Sequence, residues 1–279
     1  PPAQRVLSKE LDRLRSDSLF VDSDLVTRLR LFACMASRSS AWLAAMPCRG
    51  RLDLTLTSDQ MQAALQHRLG LPLASPGELC CACSKPLDVA GHHHLTCSRG
   101  SFVNSRHNRL RDGLVELCAA AGMNPSKEEG GYDRDRTRPA DVLVPSWKLG
   151  KSAAFDLTVV SPLTQENISG AGDTGVVERA AEKKHEENDP KCADLGWLCV
   201  PLAVDSYGQW CVEAHQAFAE IALRLSTRTK VTFARALASI LNTLALILAR
   251  HNATALLARR AHRFSIGARE VHSASSLLG

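Results

Sequence analysis

Helical and strand-like hydrophobic patterns alternate along this chain in an order that predicts an α/β fold. Residues 1–77 carry apolar positions at helical spacing. Ser23 precedes an apolar-periodic stretch running to about Met35, and a second helix opens at the cap candidate Ser58 and closes at Gly70, both ends obeying the usual start and stop signals. Pro72-Leu-Ala-Ser-Pro-Gly then punctuates the chain, as a module boundary does. From Asn104, Leu110, Leu114, Leu117 and Cys118 recur until Gly122 ends the run, a helix of about four turns. A loop-rich stretch with a weak strand holds Glu128. Ala140–Val144, stopped by Pro145, and Ala153–Val160, stopped by Pro162, read as strands from their β-branched content and bounding prolines. A Gly-rich segment leads into a charged helix from about Val176 to Asp194, and Gly196 admits the strand Trp197–Val204. Two long helices, about Val212–Leu225 and Val231–Ala261, close the chain.

Composition narrows the class. With 279 residues and 45% hydrophobic content, the chain can bury a sizeable core and is globular. It opens on Pro1 and Pro2 without Met, which reads as a piece of a longer polypeptide. No basic-plus-apolar leader is present, and the most apolar run, Leu237–Ala249, is shorter than the ~20 residues of a membrane span, so no membrane partner is expected. The net charge of +5 is uneven: from Cys211 onward nine Lys/Arg face three Asp/Glu, an excess of six, which leaves minus one for the rest. A basic tail suits a polyanionic partner.

Of ten cysteines, Cys80, Cys81, Cys83 and Cys97 crowd into eighteen residues beside three consecutive histidines, a clustering that favours metal over disulfides. Cys80-x-x-Cys83 places two thiolates on one tight turn, and His93-x-x-x-Cys97 supplies an imidazole and a third thiolate, a tetrahedral zinc set with no open position and hence structural. Cys81 can replace Cys80, and His92 can replace His93, within acceptable spacing. Gly91 permits a tight approach of the intervening loop.

A second chemistry lies in the strands. Asp141 stands in Arg138-Pro-Ala-Asp at the start of one predicted strand, and Asp156 in the middle of the next, flanked by Ala153, Ala154, Phe155, Leu157, Val159 and Val160. An acid in an apolar strand is costly unless it is paired or bound to metal. On neighbouring antiparallel strands the two carboxylates could converge on one divalent ion, as phosphodiester hydrolysis requires. An outward-facing Asp156, or one paired with an Arg, is the alternative.

The ordered set Cys80, Cys83, His93, Cys97, then Arg106-His107-Asn108, Glu128, Arg138-Pro139-Ala140-Asp141, Asp156 and Lys183-Lys184 resembles the restriction-like endonuclease region that follows the reverse transcriptase in certain non-LTR retrotransposons. The resemblance covers about residues 78–210, and Ala41-Trp-Leu-Ala-Ala-Met-Pro and Arg68-Leu-Gly-Leu-Pro-Leu look like the connector upstream of it. It implies a PD-(D/E)XK restriction-endonuclease-like core, a mixed sheet flanked by helices, at 101–210. A helical connector (1–77), a small zinc knuckle (78–100) and C-terminal basic helices (211–279) would surround that core. Asp141 and Asp156 would ligate Mg2+, with the Leu157 carbonyl a further ligand and Glu128 on the first strand completing the acidic cluster. Arg106, His107, Asn108 and Arg138 would lie at the cleft or on nucleic acid. Restriction enzymes place a Lys two residues after the second strand acid, where this chain has Thr158. In the retroelement branch the following helix supplies it, so Lys184, or Lys183, would take that role; Lys184 before His185 resembles the family's Lys followed by an aromatic residue. The resemblance thus implies a Zn2+- and Mg2+-binding endonuclease that nicks DNA in the nucleus. Its partners would be DNA, element RNA and an upstream reverse transcriptase in the same polyprotein. Without an active nuclease, the same features would make a zinc-containing nucleic-acid-binding module or an interaction domain packed on a polymerase.

Overall fold

Helices open the chain, as the apolar spacing of its first 77 residues predicts. The computed structural model describes residues 2–45, 54–127, 140–169 and 175–259. In its first third lie α1 (Pro2–Val21), α2 (Leu25–Met35), α3 (Ala41–Ala44) and α4 (Ser58–Leu69). Two helix starts sit one residue from those expected. Asp24, not Ser23, caps α2 and accepts from Thr27 N, and Thr57, not Ser58, caps α4 in a capping box with Gln60. The cap must reach the N–H of the third helical residue, and Ser58 is itself the first. Gly70 ends α4 in the left-handed region at φ 70°.

Next come α5 (His92–Thr96), α6 (Phe102–Ala120), β1 (Ser126–Lys127), β2 (Val142–Lys148), β3 (Lys151–Val160), α7 (Gln165–Ser169), α8 (Val176–Asp194), β4 (Leu198–Asp205), α9 (Val212–Thr229) and α10 (Phe233–Ala258). The strands form one mixed sheet in the order β1-β2-β3-β4. β1/β2 and β2/β3 are antiparallel and β3/β4 parallel, with α8 in the long crossover that a parallel pair needs. Pro145 does not stop β2, contrary to expectation. The strand continues to Lys148 through a register shift after Val144, where Ser146 takes φ 52°, and such an irregularity accommodates a residue with no N–H to donate.

Side chains alternate across β3. Ala153, Phe155 and Leu157 join the main core with Leu110 and Leu114 of α6 and Phe218 and Ile221 of α9, whereas Ala154 packs with Ala140 and with Cys192 of α8. Period two puts Asp156 on the α8 side with Ala154. The helical layer centres on α10, which packs on α3, α4, α6 and α9. Its Ile240, Leu244, Ile247 and Leu256 are fully buried, each stabilising the fold by roughly 1.5–3 kcal/mol. The C-terminal helices α9 and α10 are therefore part of the core. α10 is long and apolar enough to cross a membrane, yet 50% of that apolar window is buried inside the protein, as in the core helix of a globular domain.

Candidate functional site

Cys80, Cys83, His93 and Cys97 bring their ligand atoms within 4.8 Å of one another. Cys80 Sγ lies 3.9 Å from Cys97 Sγ, Cys97 Sγ 3.6 Å from Cys83 Sγ, and Cys83 Sγ 3.1 Å from His93 Nε2. Tetrahedral zinc with bonds of about 2.3 Å holds its sulfurs about 3.8 Å apart, so the group has the dimensions of a zinc cage and could hold such a metal. The backbone builds it locally. Ser84 N bonds to Cys80 O and Cys80 N to Lys85 O, both at 2.8 Å, closing a tight turn beneath the two thiols. Asp88 accepts from His92 N and His93 N at 2.8 and 2.6 Å and so starts α5. Gly91, at φ 77°, passes so close to Leu73 and Leu256 that a Cβ there would collide.

Of the alternative residues, the fold gathers Cys80 and not Cys81, and His93 and not His92. Cys81 is exposed, and His92 Nδ1 is engaged 2.9 Å from Ser161 Oγ. Arg259, the C-cap of α10, donates to Cys80 Sγ through Nη1 and to Arg99 O through Nη2 at 3.1 Å. Three thiolates around a dication would leave one negative charge, which this buried guanidinium is placed to offset. Burial raises the Cys80 thiol, but the N–H groups of Ala82 and Cys83 outweigh it and hold the pKa at about 6.

The second constellation exists because β3 outlasts β2. β2 begins at Val142, opposite Phe155, while β3 runs on to Val160 beside β4. The backbone groups of Leu157 on the β2 side are thus left for side chains. Leu157 N donates to Asp141 Oδ2 at 2.7 Å, and Leu157 O lies 3.0 Å from His107 Nε2, itself 3.1 Å from Asp141 Oδ2. Asp156, 8% exposed, turns toward α8. Its Oδ2 accepts from Asn188 Nδ2 at 2.6 Å and pairs with Lys184 Nζ at 3.1 Å. Lys184 and Asn188 stand one turn apart on α8 and share a face. Lys191 Nζ donates to Asn188 Oδ1 at 3.1 Å, which leaves the amide nitrogen for Asp156.

Electrostatics separates the two acids. Burial raises Asp141, but His107, the Leu157 N–H and Lys184 outweigh it and hold the carboxyl low. Asp156 is raised, by burial first and by the neighbouring Asp141 carboxylate, against the pull of Lys184. Two adjacent carboxyl groups thus stand with their pKa values driven apart, Asp141 beside His107 and Asp156 beside Lys184.

Neither a protein-family model nor a curated protein matches the chain. The candidate site therefore rests on its own geometry.

Of the residues singled out in the sequence, the fold gathers His107, Asp141, Asp156 and Lys184, and leaves Lys183 exposed. Asn108 is exposed beside His107 and hydrogen-bonds to it. Arg106 does not reach the cleft. It is 5% exposed, with Nη1 2.8 Å from Asn252 Oδ1 and Nη2 3.2 Å from Leu95 O, and it ties α6 to α10 and α5. Successive helical residues point about 100° apart, so a contiguous triplet cannot face one cleft. Glu128 and Arg138 lie outside the described residues. His185 braces α8, its Nδ1 2.9 Å from Asp189 Oδ1 and its Nε2 2.9 Å from Glu213 Oε1 at the start of α9. Asn188 was missed by sequence reasoning; its position one turn beyond Lys184 was the available signal.

Proposed function

We propose that this chain is a divalent-metal-dependent DNA endonuclease with a PD-(D/E)XK core and a structural zinc knuckle, the nicking module of a retroelement protein that works beside a reverse transcriptase. The observation that carries the reading is the convergence of Asp141, Asp156, the Leu157 carbonyl and Lys184 across two antiparallel strands and one helix. A divalent cation, Mg2+ by the family resemblance, would be held by Asp141 and Asp156, polarise a phosphoryl oxygen and lower the pKa of the attacking water. Against burial, Asp141 is held low by His107 first and by the Leu157 N–H, which also orients it. Asn188 fixes the rotamer of Asp156, so the two acids present hard oxygens in a set geometry. Lys184 offers an ammonium to orient water and to offset charge that builds on the phosphoryl oxygens in the transition state. It reaches Asp156 from α8 and so stands in for the lysine that restriction enzymes carry where this chain has Thr158. The knuckle, clamped to α10 by Arg259, gives the nuclease a rigid neighbour for contacts to the phosphate backbone. Conversion of supercoiled plasmid to nicked circles by zinc-loaded protein, only when a divalent cation is added, is the experiment that tests this function.

A further inference from the structure

The second half of α8 gathers metal-binding side chains that neither the Cys80 cluster nor the paired acids Asp141 and Asp156 use. His185, Asp189 and Cys199 bring one ligand atom each within 4.8 Å of one another. His185 and Asp189 stand one turn apart on α8 and share a face, and Cys199 lies in β4, the strand on which α8 packs. Cys199 is half-buried, and its thiol is hydrogen-bonded to that of the buried Cys192. His185 Nε2 is 2.9 Å from Glu213 Oε1, and its Nδ1 is 2.9 Å from Asp189 Oδ1. By themselves these two contacts are ordinary hydrogen bonds of an imidazolium held between two carboxylates. Such an ion pair has no use for a sulfur, whereas an imidazole, a carboxylate and a thiolate at one point are donors that Zn2+ takes together.

We infer that His185 Nδ1, Asp189 and Cys199 form a second Zn2+ site, weaker than the Cys80 cluster and with water in the fourth position. Three protein ligands and one open position are an established zinc arrangement. The metal takes the place of the proton on Nδ1 and of the Cys199 thiol proton, and both protons leave to solvent. The Nε2–H bond to Glu213 persists and fixes the ring, as a carboxylate partner does for a zinc-bound histidine. Asp189 is exposed and only one sulfur contributes, so the affinity falls below that of the three-thiolate cluster. The site goes beyond the nuclease reading and stands whether or not that reading holds. Filled, it ties α8, which brings Lys184 and Asn188 to Asp156, to β4.

The test uses the full chain, carrying one equivalent of Zn2+ in the Cys80 cluster and titrated with Co2+, while a chromophoric chelator follows any zinc released. One further equivalent of Co2+ is expected to bind without releasing zinc and to show thiolate-to-cobalt charge-transfer absorption in the near ultraviolet. Cys199→Ser should abolish that absorption. Glu213→Gln should weaken Co2+ binding by roughly 10- to 100-fold, as loss of the hydrogen-bond partner of a metal-bound histidine does. Asp189→Asn, at an exposed residue whose change leaves the fold intact, should weaken it by at least as much. Co2+ that binds only by displacing zinc, that binds without charge-transfer absorption, or that binds Cys199→Ser or Asp189→Asn as it does the wild type overturns the site. The wild-type spectrum and Asp189→Asn decide the matter even if Cys199→Ser fails to fold.

Discussion

Lys184 Nζ sits 3.1 Å from Asp156 Oδ2, bringing a cation from α8 to an acid in the middle of β3. Lys183, its neighbour, is exposed, and α8 can turn only one of the pair toward the sheet. Lys184→Ala is accordingly expected to lower nicking by at least about 100-fold, the scale of losing one transition-state donor, with DNA affinity and melting temperature nearly unchanged. Lys183→Ala and Lys151→Ala should keep most activity. Plasmid-nicking rates for the three variants check this, and an active Lys184→Ala with an inactive Lys183→Ala would reverse the assignment.

Asn188 is buried, and its amide is committed to Asp156 at 2.6 Å. Asn188→Ala leaves that carboxylate short of a donor and is expected to cost about 1–3 kcal/mol of stability. It should also slow nicking, because Asp156 loses the contact that fixes its rotamer. Urea unfolding measures the first effect and single-turnover kinetics the second. A variant as stable and as fast as wild type would mean that Asn188 only fills space.

How far this site was legible in the sequence depended on how local each cause was. The grouping of Cys80, Cys83, His93 and Cys97 was legible because a metal site would demand ligands at fixed spacing on a short chain, whereas the choice of His93 over His92 took the fold, which turns His92 to Ser161. Asp156 was legible as an acid in an apolar strand, and Lys184 from its place before His185 in the family resemblance, on a helix expected to pack against that strand. Asn188 left no such mark, since asparagine on a charged helix is ordinary until the strand that it faces is known. Arg106 was misplaced for the converse reason: its motif is contiguous in sequence, but α6 turns it into the core, where it meets Asn252. Charge counting over residues 211–279 could not anticipate that Ile240, Leu244 and Ile247 make α10 the centre of the helical core.

The Cys/His cluster and α10 are joined through Arg259 and Cys80, and the zinc proposal makes predictions for both. About one zinc per chain is expected. Cys83→Ser should lose it and unfold the knuckle, because structural zinc supplies much of such a module's folding free energy. Arg259→Met should keep zinc but weaken it by roughly 10- to 100-fold, as loss of an outer-shell partner does. Elemental analysis and chelator competition read both, and folded protein without zinc would contradict the assignment.

Asp205, at the end of β4, is fully buried and accepts from Tyr207 N at 2.8 Å and Gln209 N at 3.0 Å. Burial raises its pKa to about 6, against the ordinary 3.8. With the folded value above the unfolded one, its contribution to stability is complete below pH about 4 and is lost as pH rises through about 6. Asp205→Asn keeps an acceptor and removes the charge, so it should gain on the wild type by on the order of 2 kcal/mol between those limits. Thermal melts of both proteins across that range provide the check. A difference independent of pH would show that the carboxyl does not titrate there.

If Asp141 and Asp156 hold a cation that cleaves DNA, supercoiled-plasmid nicking by the wild type and Asp156→Asn, with no divalent cation, with Mg2+ and with Mn2+, is the decisive measurement. Nicked circles are expected from the wild type only when a divalent cation is present, and none from Asp156→Asn under any condition although the variant stays folded and zinc-loaded. Nicking that persists in Asp156→Asn, or a wild type that leaves the plasmid supercoiled with both cations, would contradict it.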